Sequence, residues 1–279
     1  MKLWLVILLI GSGLIFLTTT NSQRRPVTAM FASDDAPAAT AGNSGSAPVI
    51  VELFTSEGCS SCPPADEVLA KLDQTQAVPG ATIIALSEHV DYWNRLGWID
   101  PFSSAEFSRR QSEYADAFGN NGVYTPQMIV DGQDEFAGGN MGKAREAIAK
   151  AAQSPKANIQ LLASAGSNEK EFNLSVQVQD LPRRTAGDAA DILLAVTENN
   201  LSSAVPRGEN AGRSLKHTAV TRRLTLLGRI NSDAGSFKAE PPVTLTSGWR
   251  RDNLRVVVFV QEHASRHILG AASVNLSGK

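Results

Sequence analysis

The stretch Val49-Ile50-Val51-Glu52-Leu53-Phe54-Thr55-Ser56-Glu57-Gly58-Cys59-Ser60-Ser61-Cys62-Pro63-Pro64 runs from an apolar segment, through two cysteines, into a helical pattern. Val49 to Phe54 reads as a buried strand. From Pro64 to Gln74, Ala65, Val68, Leu69 and Leu72 recur at the spacing of a helix with one apolar face. Cys59 and Cys62 are the only 2 cysteines among 279 residues, so strand, Cys-x-x-Cys and helix in that order point to redox chemistry. Cys59, at the amino end of a helix, has backbone N–H groups and the helix dipole to stabilise a thiolate, and is the expected nucleophile. Cys62 is the expected resolving thiol. Pro63 and Pro64 are tolerated because first-turn residues need no intrahelical acceptor. Glu52 is a candidate for the buried carboxylate that exchanges a proton with Cys62. A disulfide serving only as a staple is the weaker explanation, because closing so short a loop contributes only about 2 kcal/mol in the chain-entropy estimate.

Working outward, Ala81 to Ser87 is a second apolar run without alternation, bounded by Pro79-Gly80. Two such runs around a helix form a βαβ unit in a parallel sheet covered on both faces. The cysteine pair then lies at the carboxyl end of the first strand, where open α/β sheets carry their sites. His89 to Phe118 is an aromatic-rich excursion containing Tyr92, Trp93, Trp98, Phe102, Phe107, Tyr114 and Phe118, read as a satellite core or as the lining of a groove. Ser103 or Ser104 caps a helix there, with Glu106 in its first turn and Gly119 at its end. Thr125-Pro126 precedes the strand Gln127 to Val130; a proline at that position suits a cis peptide that would present Thr125 to a bound chain. Asp131, Asp134 and Glu135 read as a solvated turn, Phe136 to Gly139 as an edge strand, and Met141 to Ala152 as a closing helix.

Beyond Pro155 the texture changes. Seven β-rich segments, near 158–165, 171–180, 190–199, 219–228, 235–246, 253–262 and 267–276, suggest a sandwich, with Ser202 to His217 as a loop between strands. The expected organisation is an α/β domain over 48–154, carrying the insertion 89–118, followed by a sandwich-like all-β domain over 155–279.

The amino terminus bears on location. Leu3 to Leu17 is apolar apart from Gly11, Ser12 and Gly13, which fits a signal-peptide core or, uncleaved, an amino-terminal anchor within residues 1–22. Residues 23–47, rich in Ala, Ser, Thr, Gly and Pro, read as an unfolded linker. Both readings of the apolar segment place the body in the periplasm or outside the cell, where a disulfide persists.

With 42% hydrophobic and 19% charged residues and a net charge of -2, the chain has no basic field for nucleic acid. There is no Gly-x-Ser-x-Gly elbow, phosphate-cradling glycine loop or His-Glu-x-x-His helix. His263 and His267 have ligand-like spacing but stand some two hundred residues from the cysteines. His89 is the histidine able to meet them in a copper or zinc site. The alternative to an oxidoreductase is therefore a metal carrier or partner-binding module on the same scaffold. The expected partners of the oxidoreductase are protein or small-molecule thiols, with no cofactor.

Leu-Phe-Thr-Ser-Glu-Gly-Cys-Ser-Ser-Cys-Pro-Pro-Ala-Asp over 53–66, His89-Val-Asp-Tyr-Trp-Asn, Leu96-Gly-Trp-Ile-Asp, Tyr124-Thr-Pro-Gln and Gly208-Glu-Asn-Ala-Gly-Arg together resemble the secreted thioredoxin-like family catalogued as domain of unknown function 1223. The resemblance runs from about residue 48 to the carboxyl end. It implies a thioredoxin-like domain with Cys59 and Cys62 as the redox pair and Pro126 as a cis-proline, exported in Gram-negative bacteria and followed by a β-rich domain. Gly58 stands where thioredoxins usually have tryptophan, and Ser60-Ser61 where they have Gly-Pro.

Overall fold

The computed structural model describes residues 45–168, 170–185, 187–231 and 235–276, all within one compact unit. The apolar amino-terminal segment and most of the expected linker lie outside the described residues. In chain order the elements are β1 (Ala47–Thr55), α1 (Pro63–Thr75), β2 (Ala81–His89), α2 (Ala105–Phe118), β3 (Gln127–Val130), β4 (Asp134–Ala137), α3 (Met141–Ala151), β5 (Asn158–Ala165), β6 (Glu171–Gln179), β7 (Ala190–Glu198), β8 (Leu201–Ala204), β9 (Ser214–His217), β10 (Val220–Ile230), β11 (Phe237–Ala239), β12 (Pro242–Thr244), β13 (Leu254–Glu262) and β14 (Ile268–Asn275).

The helices begin and end where local chemistry dictates. α1 carries its prolines in the first turn and stops at Gln76, in the left-handed region. In α2 the Ser104 side chain accepts from the Glu106 N–H, and Gly119 at φ 69° closes the helix. Asn140 caps α3 by accepting from Lys143 N–H.

β1 and β2 pair in parallel, as expected of a βαβ unit, and β3 and β4 extend the sheet antiparallel beyond β1, with β4 at the edge. The sheet does not stop at β2. Ser87 N–H donates to Ala219 O, Val220 of β10 pairs with Ser87, and the ladder continues through β7 and β13 to β14, giving eight strands in the order β14-β13-β7-β10-β2-β1-β3-β4. Strands from both sides of residue 154 therefore share one mixed sheet. A second sheet of β5, β6, β11 and β12 packs on β7, β13 and β14 through Ile159, Leu161, Leu174, Val176, Ile192, Val256 and Val258. That packing, with buried and more exposed side chains alternating along β5 and β6, accounts for the β-rich segments read beyond Pro155.

Side chains alternate across β1. Val49, Val51 and Leu53 meet Ala65, Leu69 and Leu72 of α1 and Ile148 of α3. On the other face Ile50, with Ile84 and Leu86, packs on Val257, Phe259 and Ile268. The absence of alternation in β1 and β2 thus marks a sheet covered on both faces, one by helices and the other by the strands of the carboxyl-terminal half. Phe54, Val90, Tyr114 and Ile129 form a smaller cluster with Tyr92, Trp93 and Phe118 beside it, so much of the aromatic segment is core.

Of the residues read as a solvated turn, Asp131 is buried, whereas Asp134 and Glu135 are half-buried and Gln133, just before them, is exposed. Asp131 Oδ1 accepts from Ile50 N–H at 2.8 Å, its other oxygen pairs with Lys156, and Ile268 N–H donates to its carbonyl. Burial pushes the Asp131 carboxyl up to about 6, against the lowering influence of Lys156.

Candidate functional site

Cys59 and Cys62 form a disulfide, with Cα atoms 5.4 Å apart, at the carboxyl end of β1. Cys59 N–H bonds to Ser56 O and Cys62 N–H to Cys59 O, so the pair closes a tight turn leading into α1. Cys62 is the residue capping α1: its carbonyl accepts from Ala65 and Asp66. Both cysteines are fully buried, whereas Ser60 and Ser61 between them are exposed.

The residues singled out from the sequence divide into two places. The Thr125–Pro126 peptide is cis, and Trp93 joins that segment to the cysteine loop: its Nε1 donates to Thr125 Oγ1 at 2.8 Å, and its Cβ lies 3.0 Å from where a side chain at Gly58 would begin. A larger residue at 58 would press on Trp93. Glu52, by contrast, is not beneath the cysteines. Alternation turns it to the face opposite α1, where Arg110 Nε donates to Oε1 at 2.6 Å and the Tyr114 hydroxyl bonds Oε2. Arg110 also lies 3.5 Å from Glu88 Oε1, and its remaining nitrogens bond Gln261 and Tyr114. Burial, then the Glu52 charge, push the Glu88 carboxyl well above the ordinary range, with Arg110 opposing.

The carboxylate on the side of Cys62 is Asp66, four residues on and so on the same face of α1. Thr55 Oγ1 donates to it at 2.8 Å. Burial raises its pKa to about 6, with His89 and His217 opposing. A folded pKa above the unfolded one means that Asp66 stabilises the fold below about pH 4, and that this contribution is lost as pH rises through about 6. Asp66→Asn, which keeps the acceptor for Thr55, is therefore expected to add about 1–3 kcal/mol at pH 7 and almost nothing at pH 4. Urea unfolding of both proteins at the two pH values measures it, and equal midpoints at pH 7 would contradict it.

Beneath the cysteine loop lies a buried polar network that no local pattern announces. Glu57, almost fully buried, receives bonds from Trp98 Nε1 at 2.7 Å and Ser203 Oγ at 2.5 Å, and its Oε1 is 2.9 Å from His217 Nε2. Its N–H donates to Asp100 Oδ2, which also pairs with His89 Nδ1 at 2.7 Å. The two imidazoles meet edge to face at 4.9 Å, with Phe102 against both. Burial disfavours the His89 imidazolium, but the charge and hydrogen bond of Asp100 outweigh it and raise the pKa. Burial works in the same sense against the Asp100 carboxylate, and His89 with the N–H groups of Glu57 and Phe102 reverses it, leaving the pKa lowered. Among the described residues no three His, Cys, Asp or Glu side chains are grouped to hold a metal ion. His263 is half exposed and pairs with Asp191, far in sequence from the cysteines.

The stretch read as a loop from Ser202 to His217 has a loop over 205–213, but its two ends pair as the short antiparallel strands β8 and β9. Its tip reaches the cysteine turn: Asn210 Nδ2 donates to the carbonyls of Glu57 and Cys59, both at 2.9 Å, and Glu209 Oε2 accepts from Ser60 N–H at 2.9 Å and Ser60 Oγ at 2.7 Å. The only sequence signal for these residues is their membership in the short motifs around His89, Trp98 and Gly208.

Among the described residues no helix is long and apolar enough to cross a membrane. No curated protein matches the chain in sequence. A crystal structure of an Agrobacterium tumefaciens protein is similar, with 27% identity over 84% of this chain and 96% of that one and a TM-score of 0.61. HBP35 of Porphyromonas gingivalis is similar in fold, with a TM-score of 0.62 at 19% identity over 84% of this chain and 76% of that one. The motifs that gather around Cys59 all fall within the span matched by one family model, residues 50–261, and the chain belongs to that family of proteins of unknown function, DUF1223.

Proposed function

We propose that the protein is an exported thiol-disulfide oxidoreductase with a thioredoxin-like arrangement of β1, α1, β2 and the Thr125-Pro126 segment, acting on protein thiols in the periplasm or outside the cell. The observation that carries this reading is the Cys59–Cys62 disulfide at the end of β1, with Cys62 capping α1. A substrate thiolate attacks Cys59 Sγ, the Cys59–Cys62 bond breaks, and the electron pair leaves with Cys62 Sγ. Asp66, one turn further along α1, supplies the proton that Cys62 takes up. A second substrate thiolate then attacks the substrate sulfur of the mixed disulfide, and Cys59 departs as the thiolate. Two electrons pass from the substrate dithiol to the protein, and the reverse sequence donates them. Glu52, bound to Arg110 on the other face, has no part in this step.

Polypeptide rather than small-molecule thiols are favoured by the surface beside the site. The exposed large apolar side chains among the described residues are Leu96, Ile99, Val123, Tyr124, Leu162 and Leu226, and the first four belong to the two loops that the Trp93–Thr125 bond joins. Export rests on the apolar segment Leu3 to Leu17.

The test is a redox titration of the wild type against glutathione together with capture by Cys62→Ser. The titration is expected to reach a reversible equilibrium, and the variant, lacking the resolving thiol, to accumulate protein mixed disulfides on Cys59 in envelope fractions. No exchange with glutathione and no captured adducts would refute the assignment.

A further inference from the structure

The fold gives the carboxyl-terminal half a contact with the redox pair that the exchange chemistry above does not use. The loop between β8 and β9 reaches the cysteine turn and holds it by four hydrogen bonds, two from Asn210 Nδ2 to the carbonyls on either side of Gly58 and two to Glu209 Oε2 from Ser60. Asn210 is itself buried and fixed from behind, its Oδ1 accepting from Arg213 at 2.8 Å. The loop is anchored at its base as well: Ser203 of β8 and His217 of β9 both bind the Glu57 carboxylate, two residues before Cys59.

We infer that Glu209 is a positioning residue that sets the redox poise of the pair: its carboxylate, held on the residue after Cys59, opposes the Cys59 thiolate and so favours the disulfide. This rests on the oxidoreductase reading for its biological meaning, but not for its physics. A negative charge fixed beside a thiol raises the thiol pKa, because the thiolate would add a second negative charge at short range. The two bonds from Ser60 keep Glu209 ionised, holding its carboxyl below the ordinary range. They also occupy the Ser60 N–H, one of the few backbone donors in the turn that connects the cysteines. The other charged or titratable groups around the turn are Glu57, His217, His89 and Asp100 beneath it, Asp66 on α1 and Arg213 behind Asn210. Among these, Glu57, His217, His89 and Asp100 are buried and paired with one another, and Arg213 is bonded to Asn210, whereas Glu209 is an exposed carboxylate bound directly to the Cys-x-x-Cys segment. The poise of the pair is thereby written partly in a ribbon about 150 residues away in sequence.

The consequence is read with the charge removed and the hydrogen-bond acceptor kept. In Glu209→Gln the Cys59 thiolate is expected to gain about three- to tenfold in population at a given pH below its pKa, the size of effect a unit charge a few ångströms away exerts at close to bulk-water screening, as suits an exposed carboxylate. At pH above the Cys59 pKa, where the reduced form carries the thiolate, the dithiol form should gain by a similar factor against glutathione, a tenfold change corresponding to about 30 mV for a two-electron couple. The probe for the first quantity is the pH dependence of iodoacetamide alkylation of the fully reduced protein, which needs no substrate; its fast phase reports Cys59, and peptide mapping confirms the site. Glu240→Gln, on an exposed carboxylate between β11 and β12, serves as the charge control, and thermal melts of the oxidised proteins show whether the turn has loosened. A lowered Cys59 pKa in Glu209→Gln, with the control and the melts unchanged, supports the proposal. A Cys59 pKa equal to or above that of the wild type overturns it. If the wild type fails to exchange with glutathione while Glu209→Gln still lowers the pKa, the oxidoreductase reading falls and the charge effect stands; exchange in both proteins with identical pKa values does the reverse.

Discussion

Arg110→Ala is expected to destabilise the protein by about 3–5 kcal/mol, the cost of removing one partner from a buried ion pair. Arg110 is nearly inaccessible, and so are Glu52 and Glu88, the two carboxyls it faces. Its Nε donates to Glu52, one terminal nitrogen to Gln261 and the other to the Tyr114 hydroxyl, which in turn bonds Glu52. Without the guanidinium, Glu52 keeps Tyr114 but loses its counter-charge, and Gln261 Oε1 loses its donor. Glu88, whose carboxyl burial and the Glu52 charge push upward, loses the Arg110 charge that opposes that shift. The penalty should be partly relieved by adding Glu52→Gln, since a neutral amide in that position needs no counter-ion. Equilibrium urea unfolding of the single and double variants, as a mutant cycle, measures both quantities. A loss under about 1 kcal/mol for Arg110→Ala would show that the pair carries little of the stability. Because Glu52 and Arg110 lie on the face of β1 opposite α1, the Cys59 pKa should be unaffected in any variant of this cycle that remains folded.

Cys59→Ser is expected to abolish disulfide exchange completely, in contrast to Cys62→Ser, which keeps the first half of the reaction. A serine hydroxyl neither ionises near neutral pH nor accepts attack by a thiolate, so no mixed disulfide forms at position 59. The variant retains Cys62 at the cap of α1, but with no partner thiol beside it Cys62 has no intramolecular disulfide to exchange. The measurement is exchange with a dithiol and with glutathione, followed by counting of captured adducts in Cys59→Ser, Cys62→Ser and the double variant. Wild-type rates in Cys59→Ser would reassign the nucleophile. Measured against the reduced wild type, stability should change little, since neither protein then carries the cross-link; against the oxidised wild type the loss should be about 2 kcal/mol.

Much of the local architecture is legible in the amino-acid sequence. Ser104, Glu106 and Gly119 delimit α2 because capping and left-handed termini depend on side chains within a few residues. Unbroken apolar runs mark β1 and β2, since a strand covered on both faces has no polar side to show. The seven β-rich segments beyond Pro155 correspond to β5, β6, β7, β10, β11 with β12, β13 and β14. Glu52 lies away from the cysteines for a reason that no local pattern carries. Its neighbours in sequence show that it is buried, but which face of β1 it occupies relative to Cys62 depends on where the turn after Thr55 sends the chain. Trp93 illustrates the complementary case: its membership in an aromatic segment is plain, whereas its place against Gly58 and Thr125 requires the segment to fold back over the end of β1.

By itself the sequence determined the cysteine pair, the helix that starts at it, the βαβ order and the β-rich character of the second half, because each depends on short-range periodicity, capping and cysteine spacing. Only the tertiary structure decided what surrounds the pair. The joining of β10 to β2 places both halves in one sheet and brings the β8–β9 ribbon to the cysteine turn, so that Glu209, Asn210 and His217 meet residues some 150 positions earlier. Such contacts are set by strand pairing and by the burial of polar groups that must find partners, and both are properties of the assembled chain rather than of any segment of it.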